Sequence, residues 1–200
     1  LNMTLDPSGR LLIGTTSASG SNLLQVNSDA SIHGLTVGLG GGSISTNTAL
    51  GVSALTSNTT ASYNTAVGYQ AGYSNTTGAP NSYVGRLAGY TNSPGSFNNS
   101  FGESSLYYNT GSYNTAMGGY ALLNNTTASN NTAVGYQAGY TATTGNLLAI
   151  GYQAGYYSNT TSGYSPVFVG YQAGYNTTTG HSNVFVGTLT GYTNSSGSYN

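Results

Sequence analysis

The sequence predicts an all-β protein, a parallel β-solenoid (β-roll) of nine short repeats. Three observations carry this expectation. A glycine returns every 16 to 19 residues, a large apolar residue stands immediately before it each time, and only 2% of the 200 residues are charged.

The repeat is read directly from its best copies, Asn64-Thr-Ala-Val-Gly-Tyr-Gln-Ala-Gly-Tyr73 and Asn131-Thr-Ala-Val-Gly-Tyr-Gln-Ala-Gly-Tyr140, with the second half recurring from Gly151 and from Gly170. Anchoring on the first glycine gives Gly51, Gly68, Gly85, Gly102, Gly118, Gly135, Gly151, Gly170 and Gly187. A fixed period of this kind is the signature of a stacked repeat architecture, in which each unit buries its apolar face only against its neighbours. The one interval of 19 residues contains Tyr156-Tyr157-Ser-Asn-Thr-Thr-Ser-Gly-Tyr-Ser-Pro166. Its extra residues fall in polar turn sequence, where insertions are tolerated.

The residue before each anchor is Leu50, Val67, Val84, Phe101, Met117, Val134, Ile150, Val169 and Val186. Large aliphatic side chains at a fixed phase are what the inside of a coil needs, so this column is expected to be the structural core. In an extended segment the residue two positions earlier shares its face, and the mostly small residue between them faces the other way, where a partner chain could cover it. Beyond the anchor a small residue recurs from Ala54 to Thr190, followed by glycine or leucine and then, in seven units, by tyrosine. Polar Asn, Thr, Ser and Gly close each unit and read as turn chemistry. Each unit is therefore expected to hold two short strands and two turns. Residues 46–200 form the repeat shaft, and residues 1–45 form an N-terminal connecting segment with short strands. The chain begins without Met and stops within a repeat, which reads as part of a longer protein.

Helices are excluded by the abundance of glycine and β-branched residues and by the lack of a three-and-four apolar stripe. A Tyr-, Gly-, Asn- and Ser-rich chain also fits the composition of a disordered low-complexity segment. The aliphatic column separates the two readings, because disorder needs no large side chain at a fixed phase. Low charge follows from stacking: equivalent charges about 4.8 Å apart would repel by about 1 kcal/mol even at the permittivity of bulk water.

Composition also narrows the chemistry. There is no cysteine, tryptophan or lysine; the cations are Arg10 and Arg86, the acids Asp6, Asp29 and Glu103, and the histidines His33 and His181. Two isolated arginines do not make the basic footprint that nucleic acid requires, and no apolar run is long enough to insert in a membrane. Gly38-Leu-Gly-Gly-Gly-Ser43 lacks the lysine and the strand-to-helix setting of a phosphate loop and is expected to be a flexible junction. Three separated carboxylates do not supply an acid pair or a calcium cage. No catalytic residue, cofactor site or metal site is expected. Glu103 and His33 are the positions to inspect for an ion at a three-fold axis, although solvated roles suit both. Arg86 reads as a solubilising surface residue.

Two further features could face partners. Asn-x-Ser/Thr patterns occur at Asn2, Asn58, Asn75, Asn98, Asn124, Asn125, Asn130, Asn159, Asn176 and Asn194, where turn geometry alone explains asparagine and threonine. Tyr73, Tyr140, Tyr156, Tyr175 and Tyr192 are candidates for surface binding or inter-chain packing, because tyrosine offers a rigid amphipathic surface. A coil of about seventeen residues encloses few apolar groups against an ordering cost of roughly 1–2 kcal/mol per residue. A parallel homotrimer is therefore expected, with self as the first partner.

The Asn-Thr-Ala-Val-Gly unit resembles the head repeat of trimeric autotransporter adhesins, which implies a parallel β-roll in a homotrimer. The longer Asn-Thr-Ala-Val-Gly-Tyr-Gln-Ala-Gly-Tyr form resembles repeats of phage tail fibres. Asp6-Pro-Ser-Gly-Arg-Leu-Leu-Ile-Gly-Thr-Thr16, with Leu23-Leu-Gln-Val-Asn27, resembles a fibre segment found upstream of such repeats. The resemblance implies a structural and adhesive fibre segment in a virion, with other fibre or tail proteins and a host surface glycan or protein as partners. The alternative it leaves open is an adhesin or filament on a bacterial surface.

Overall fold

The computed structural model describes residues 35–143, 145–159 and 165–200, together with the backbone of four short strands before them. These are β1 (Met3–Leu5), β2 (Leu11–Ile13), β3 (Leu24–Val26) and β4 (Ala30–Ile32). β2 pairs with β1 antiparallel and with β3 parallel, forming a small separate sheet. β4 pairs antiparallel with β5 (Leu35–Gly38), and β5 pairs antiparallel with β6 (Thr48–Leu50). The end of the connecting segment therefore belongs to the main sheet.

From β6 onward the chain is a parallel β-solenoid with no α-helix among the described residues. Its remaining strands are β7 (Thr65–Val67), β8 (Asn81–Val84), β9 (Asn98–Phe101), β10 (Thr115–Met117), β11 (Thr132–Val134), β12 (Leu148–Ile150), β13 (Val167–Val169) and β14 (Val184–Val186). Each strand pairs in register with the same positions of the next, as in Thr115↔Thr132, Ala116↔Ala133 and Met117↔Val134. Nine strands stacked about 4.8 Å apart span about 40 Å.

The strands are short because both ends turn sharply. The residue before the buried asparagine has a left-handed backbone at Tyr63, Phe97, Tyr113 and Asn130 (φ 58 to 62°). The anchor glycine leaves the strand at φ 128 to 149°. A side chain there is excluded twice over, since a Cβ on Gly68 would sit 2.5 Å from the carbonyl oxygen of Gly85 in the next coil.

The second side of each coil was expected to be a strand and is not one. It carries left-handed residues two apart, Gln70 at φ 53° and Gly72 at 60°, and this alternation repeats along the stack, for example at Gln137 and Gly139. The segment still hydrogen-bonds from coil to coil, with Gln70 N donating to Val52 O at 2.8 Å and Gly72 N to Ala88 O at 2.9 Å. It is a stack of turns, so the solenoid has a β-sheet wall and a turn wall.

The core differs from the expected column. Leu50, Val67, Val84, Phe101, Met117, Val134, Ile150, Val169 and Val186 all point out of the coil, and none is buried; Met117 is 46% exposed and Val186 64%. The residue between each outward pair points in: Ala49, Ala66, Tyr83, Ser100, Ala116, Ala133, Ala149 and Phe168 are essentially solvent-free. Ala54, Ala71, Ala88, Ser105, Ala121, Ala138, Ala154 and Ala173 face them from the turn wall and are equally buried. The physical reason is width. The two walls stand so close that a layer of large aliphatic residues on one wall would overfill the interior.

Size is instead balanced layer by layer. Where the strand carries alanine, the turn wall can carry leucine, as with Ala49 and Leu55 or Ala116 and Leu122, all four buried. Where the strand carries an aromatic ring, the turn wall carries glycine. A Cβ on Gly72 would lie 2.6 Å from Tyr83 Cδ2, and one on Gly155 2.7 Å from Phe168 Cδ2. Between two apolar clusters lies a serine layer, Ser100 and Ser105, whose hydroxyl oxygens stand 2.6 Å apart.

Candidate functional site: ladders on and inside the coil

Asparagines hold the corner of the coil together from inside. Asn98, Asn114 and Asn131 precede their strands, and each accepts through Oδ1 from the backbone N–H of the equivalent residue one coil on: Asn114, Asn131 and Leu147, at 2.9, 3.0 and 2.9 Å. The amides of Asn98 and Asn114 donate across the turn to Gly111 O and Ala128 O, both at 2.9 Å. A second column, including Asn92, Asn109 and Asn125, closes the same turn; Asn125 Nδ2 donates to Ala128 O at 3.0 Å and to Asn109 Oδ1 at 2.7 Å. The regular spacing of these asparagines is visible in the sequence. Their inward direction is not, and the turn reading missed it. In two successive coils both columns change together, to Ala142 and Leu147 and then to Ser158 and Pro166, and the first pair is buried in the apolar cluster.

This arrangement sorts the glycosylation patterns. Asn58, Asn75, Asn98 and Asn125 have buried side chains whose amides donate to turn carbonyls, so the folded coil withholds them. Asn130, Asn159 and Asn176 lie on the exposed surface.

The five candidate tyrosines all lie on the outer surface of the turn wall, in stacks of parallel rings. Tyr73, Tyr90 and Tyr107 form one stack, with centroids 5.1 and 4.9 Å apart. Leu123 interrupts the column. Tyr140, Tyr156, Tyr175 and Tyr192 form the second stack, at 4.8, 5.1 and 4.9 Å. The interior rings of each stack have both faces covered by their neighbours, so they present edges and hydroxyl groups to solvent. Partial burial, reinforced by the neighbouring phenols, pushes the Tyr156 and Tyr175 hydroxyls above their ordinary pKa. A parallel ladder, Tyr136, Tyr152 and Tyr171, runs beside a chain of glutamine amides in which Gln153 donates to Gln137 and Gln172 to Gln153, each at 2.7 Å.

Arg86 is not simply a solubilising residue. It occupies the column of Tyr69 and Tyr136, and its Nη1 lies 2.8 Å from Oε1 of Glu103 in the next coil, with both side chains about half exposed. Tyr120 donates to the same carboxylate oxygen at 3.2 Å. Glu103, a candidate for an axial ion, is thus engaged within its own chain. His33 lies outside the described residues, and His181 packs edge-on against Tyr199. No group of three or more His, Cys, Asp or Glu that could hold a metal occurs among the described residues. Nor is any helix among them long and apolar enough to cross a membrane.

The glycine-rich segment expected to be a flexible junction is a lid on the first coil. Gly41 N donates to Leu55 O at 2.9 Å, and Asn58 Nδ2 returns a bond to Gly41 O at 3.1 Å. The close approach needs glycine, since a Cβ on Gly40 would lie 2.7 Å from that of Leu55. With β5 antiparallel along β6, this segment covers the strand edge at the first coil, an edge that otherwise invites pairing with other chains.

The outward sheet face is the remaining large surface. It carries the column from Leu50 to Val186 beside Thr48, Thr65, Ser82, Asn99, Thr115 and Thr132, which give way to Leu148, Val167 and Val184. It is uncharged and increasingly aliphatic towards β14. No family model, curated protein or solved structure matches the chain.

Proposed function

We propose that the chain is a non-enzymatic structural and adhesive fibre segment, the shaft of a phage tail fibre that serves host attachment, assembled as a parallel homotrimer. The observation that carries this reading is the outward stripe. Nine large apolar side chains line one face of a narrow rod that has almost no charge to keep it apart from its copies. Three parallel chains around an axis cover that stripe and leave the polar turns outside. Closed rotational symmetry keeps equivalent coils level, so neutral ladders meet neutral ladders. The surface that meets the partner is the column from Leu50 to Val186, not the small-residue column, which fills the coil.

The resemblance of the repeat to tail-fibre sequences supports placement in a virion, with other fibre or tail proteins along the axis and a host glycan or protein at the target surface. Its likeness to the adhesin head repeat supports the second reading, a bacterial surface adhesin of the same build. Native mass measurement and imaging of the assembled particle test the proposal. A three-chain rod attached to a tail is the expected result. A folded monomer at micromolar concentration, or a dimer, would overturn it.

A further inference from the structure

We propose that the Tyr140, Tyr156, Tyr175 and Tyr192 ladder is a site of oxidative tyrosine coupling, at which a peroxide-driven one-electron oxidation joins successive coils of one chain through dityrosine bonds. The inference rests on the fold and the ladder alone, independent of the fibre reading.

The geometry supplies the proximity. Neighbouring phenols in this ladder are held 4.8 to 5.1 Å apart, and Tyr157 meets both Tyr156 and Tyr175 edge-on at 4.6 and 5.6 Å. The rings are held by backbone stacking, so the pairs persist without an encounter step. They are also reachable, since none of these tyrosines is buried. Bringing one ring's ortho carbon to its neighbour's needs rotation about the ring torsion, which is broad and shallow for tyrosine.

The composition supplies the selectivity. The chain has 19 tyrosines but no cysteine and no tryptophan, the side chains that would otherwise drain a phenoxyl radical. Methionine is the other oxidisable side chain, and Met117 is the exposed competitor. With no disulfide available, phenol coupling is the oxidative cross-link this sequence can make.

The step balances. Each of two tyrosines gives up one electron and one proton to form a phenoxyl radical. The radicals join through the carbons ortho to oxygen, and tautomerisation moves the two ortho hydrogens from carbon to oxygen, restoring both phenols. The two electrons and two protons lost reduce one hydrogen peroxide to two waters at a peroxidase.

The test treats the intact protein with a peroxidase and hydrogen peroxide and maps dityrosine by fluorescence and by mass spectrometry of peptides. A mixture of isotopically light and heavy chains separates links within a chain from links between chains. The expected result is light–light and heavy–heavy links at 140–156, 156–175 and 175–192. Tyr156→Phe, which keeps the ring in the stack, should remove the first two and keep the third. The melting midpoint of the oxidised wild type should rise by several degrees, because the links close loops of the unfolded chain. The same treatment of a Tyr140→Phe, Tyr156→Phe, Tyr175→Phe variant should give a smaller rise, what remains coming from the stacks of Tyr73, Tyr90 and Tyr107 and of Tyr136, Tyr152 and Tyr171, and an undiminished rise would overturn the proposal. Links confined to the most exposed tyrosines, Tyr63, Tyr113 and Tyr199, or found only between chains, would overturn the proposal. So would an unchanged link pattern in Tyr156→Phe.

Discussion

Asn114 Oδ1 accepts the backbone N–H of Asn131, its counterpart in the next coil, at 3.0 Å, while Asn114 Nδ2 donates to Ala128 O at 2.9 Å across the turn. One buried side chain thus fixes both the rise between coils and the closure of its own coil. Asn114→Ala leaves the Asn131 backbone N–H without a partner in the interior and strips Ala128 O of one of its two donors, the other being Asn125 Nδ2, and should cost about 2–3 kcal/mol. Asn114→Asp keeps the acceptor and loses the donor, so it should be no better. Chemical denaturation of the two variants checks this, and a loss under about 1 kcal/mol for both would show that the ladder is not structural.

The layer formed by Phe168 with Gly155 and Gly174 gives a second expectation. Gly155 has a left-handed backbone, and its Cβ would meet the Phe168 ring at 2.7 Å. Gly155→Ala should therefore cost about 2–4 kcal/mol, from overpacking together with the backbone penalty. Adding Phe168→Ala relieves the overlap, since the Ala116 and Leu122 layer already uses a small strand residue opposite a larger one. The double variant should be more stable than the sum of the two single losses predicts. Additivity in a double-mutant cycle would refute the compensation.

What the sequence made legible was everything set by the period: the anchor glycines, one strand in each of the nine repeats, the in-register stacking, the recurrence of a small residue beyond the anchor and the tyrosine column. What it hid depends on distances between walls. Hydrophobicity ranks valine above alanine for a core, so Val134 was expected inside and Ala133 outside. The narrow coil reverses this, and with a side-chain period of two the reversal moves the whole column. The turn wall was hidden for a different reason. Gln70, Leu87 and Tyr120 adopt positive φ, a conformation that residue type alone disfavours for each of them. The asparagine ladder was visible as a pattern, but asparagine favours turns whether it points in or out.

Alkaline pH should weaken the fold. Tyr83 is fully buried, its hydroxyl accepts from Asn92 Nδ2 at 2.5 Å, and burial pushes its pKa far above the ordinary value of 10.0. Below about pH 10 the phenol is neutral in both states, and its contribution to stability is intact. Above that pH the unfolded chain gives up a proton that the folded chain retains, so unfolding is favoured progressively. Tyr107, Tyr156 and Tyr175 are shifted in the same direction, mainly by burial, and add to the effect. Denaturation midpoints measured from pH 8 upward should fall beyond about pH 10. Tyr83→Phe should start lower, having lost the acceptor for Asn92, and decline less steeply. Parallel decline of the two proteins would remove Tyr83 from the explanation.

Ala133 and Val134 are adjacent in β11 and point to opposite sides of the wall, which allows folding and assembly to be separated. Ala133 is fully buried against the turn wall, so Ala133→Asp places a carboxylate in a dry, narrow interior with no counter-charge and should unfold the chain, at a cost of about 4 kcal/mol or more. Val134 faces outward and is half-buried, so Val134→Asp in a single chain should cost no more than about 1 kcal/mol. In the proposed trimer, however, it would bring three like charges to the covered stripe, where they repel and cannot be solvated. Circular dichroism should then show Val134→Asp folded, while sedimentation shows it to be monomeric. Three results would each be decisive against part of the argument. An unfolded Val134→Asp chain would show that folding and assembly are not separable at this column. A folded Ala133→Asp chain would take the small column out of it. A Val134→Asp protein that sediments with the parent would show that the outward stripe is not where the chains meet.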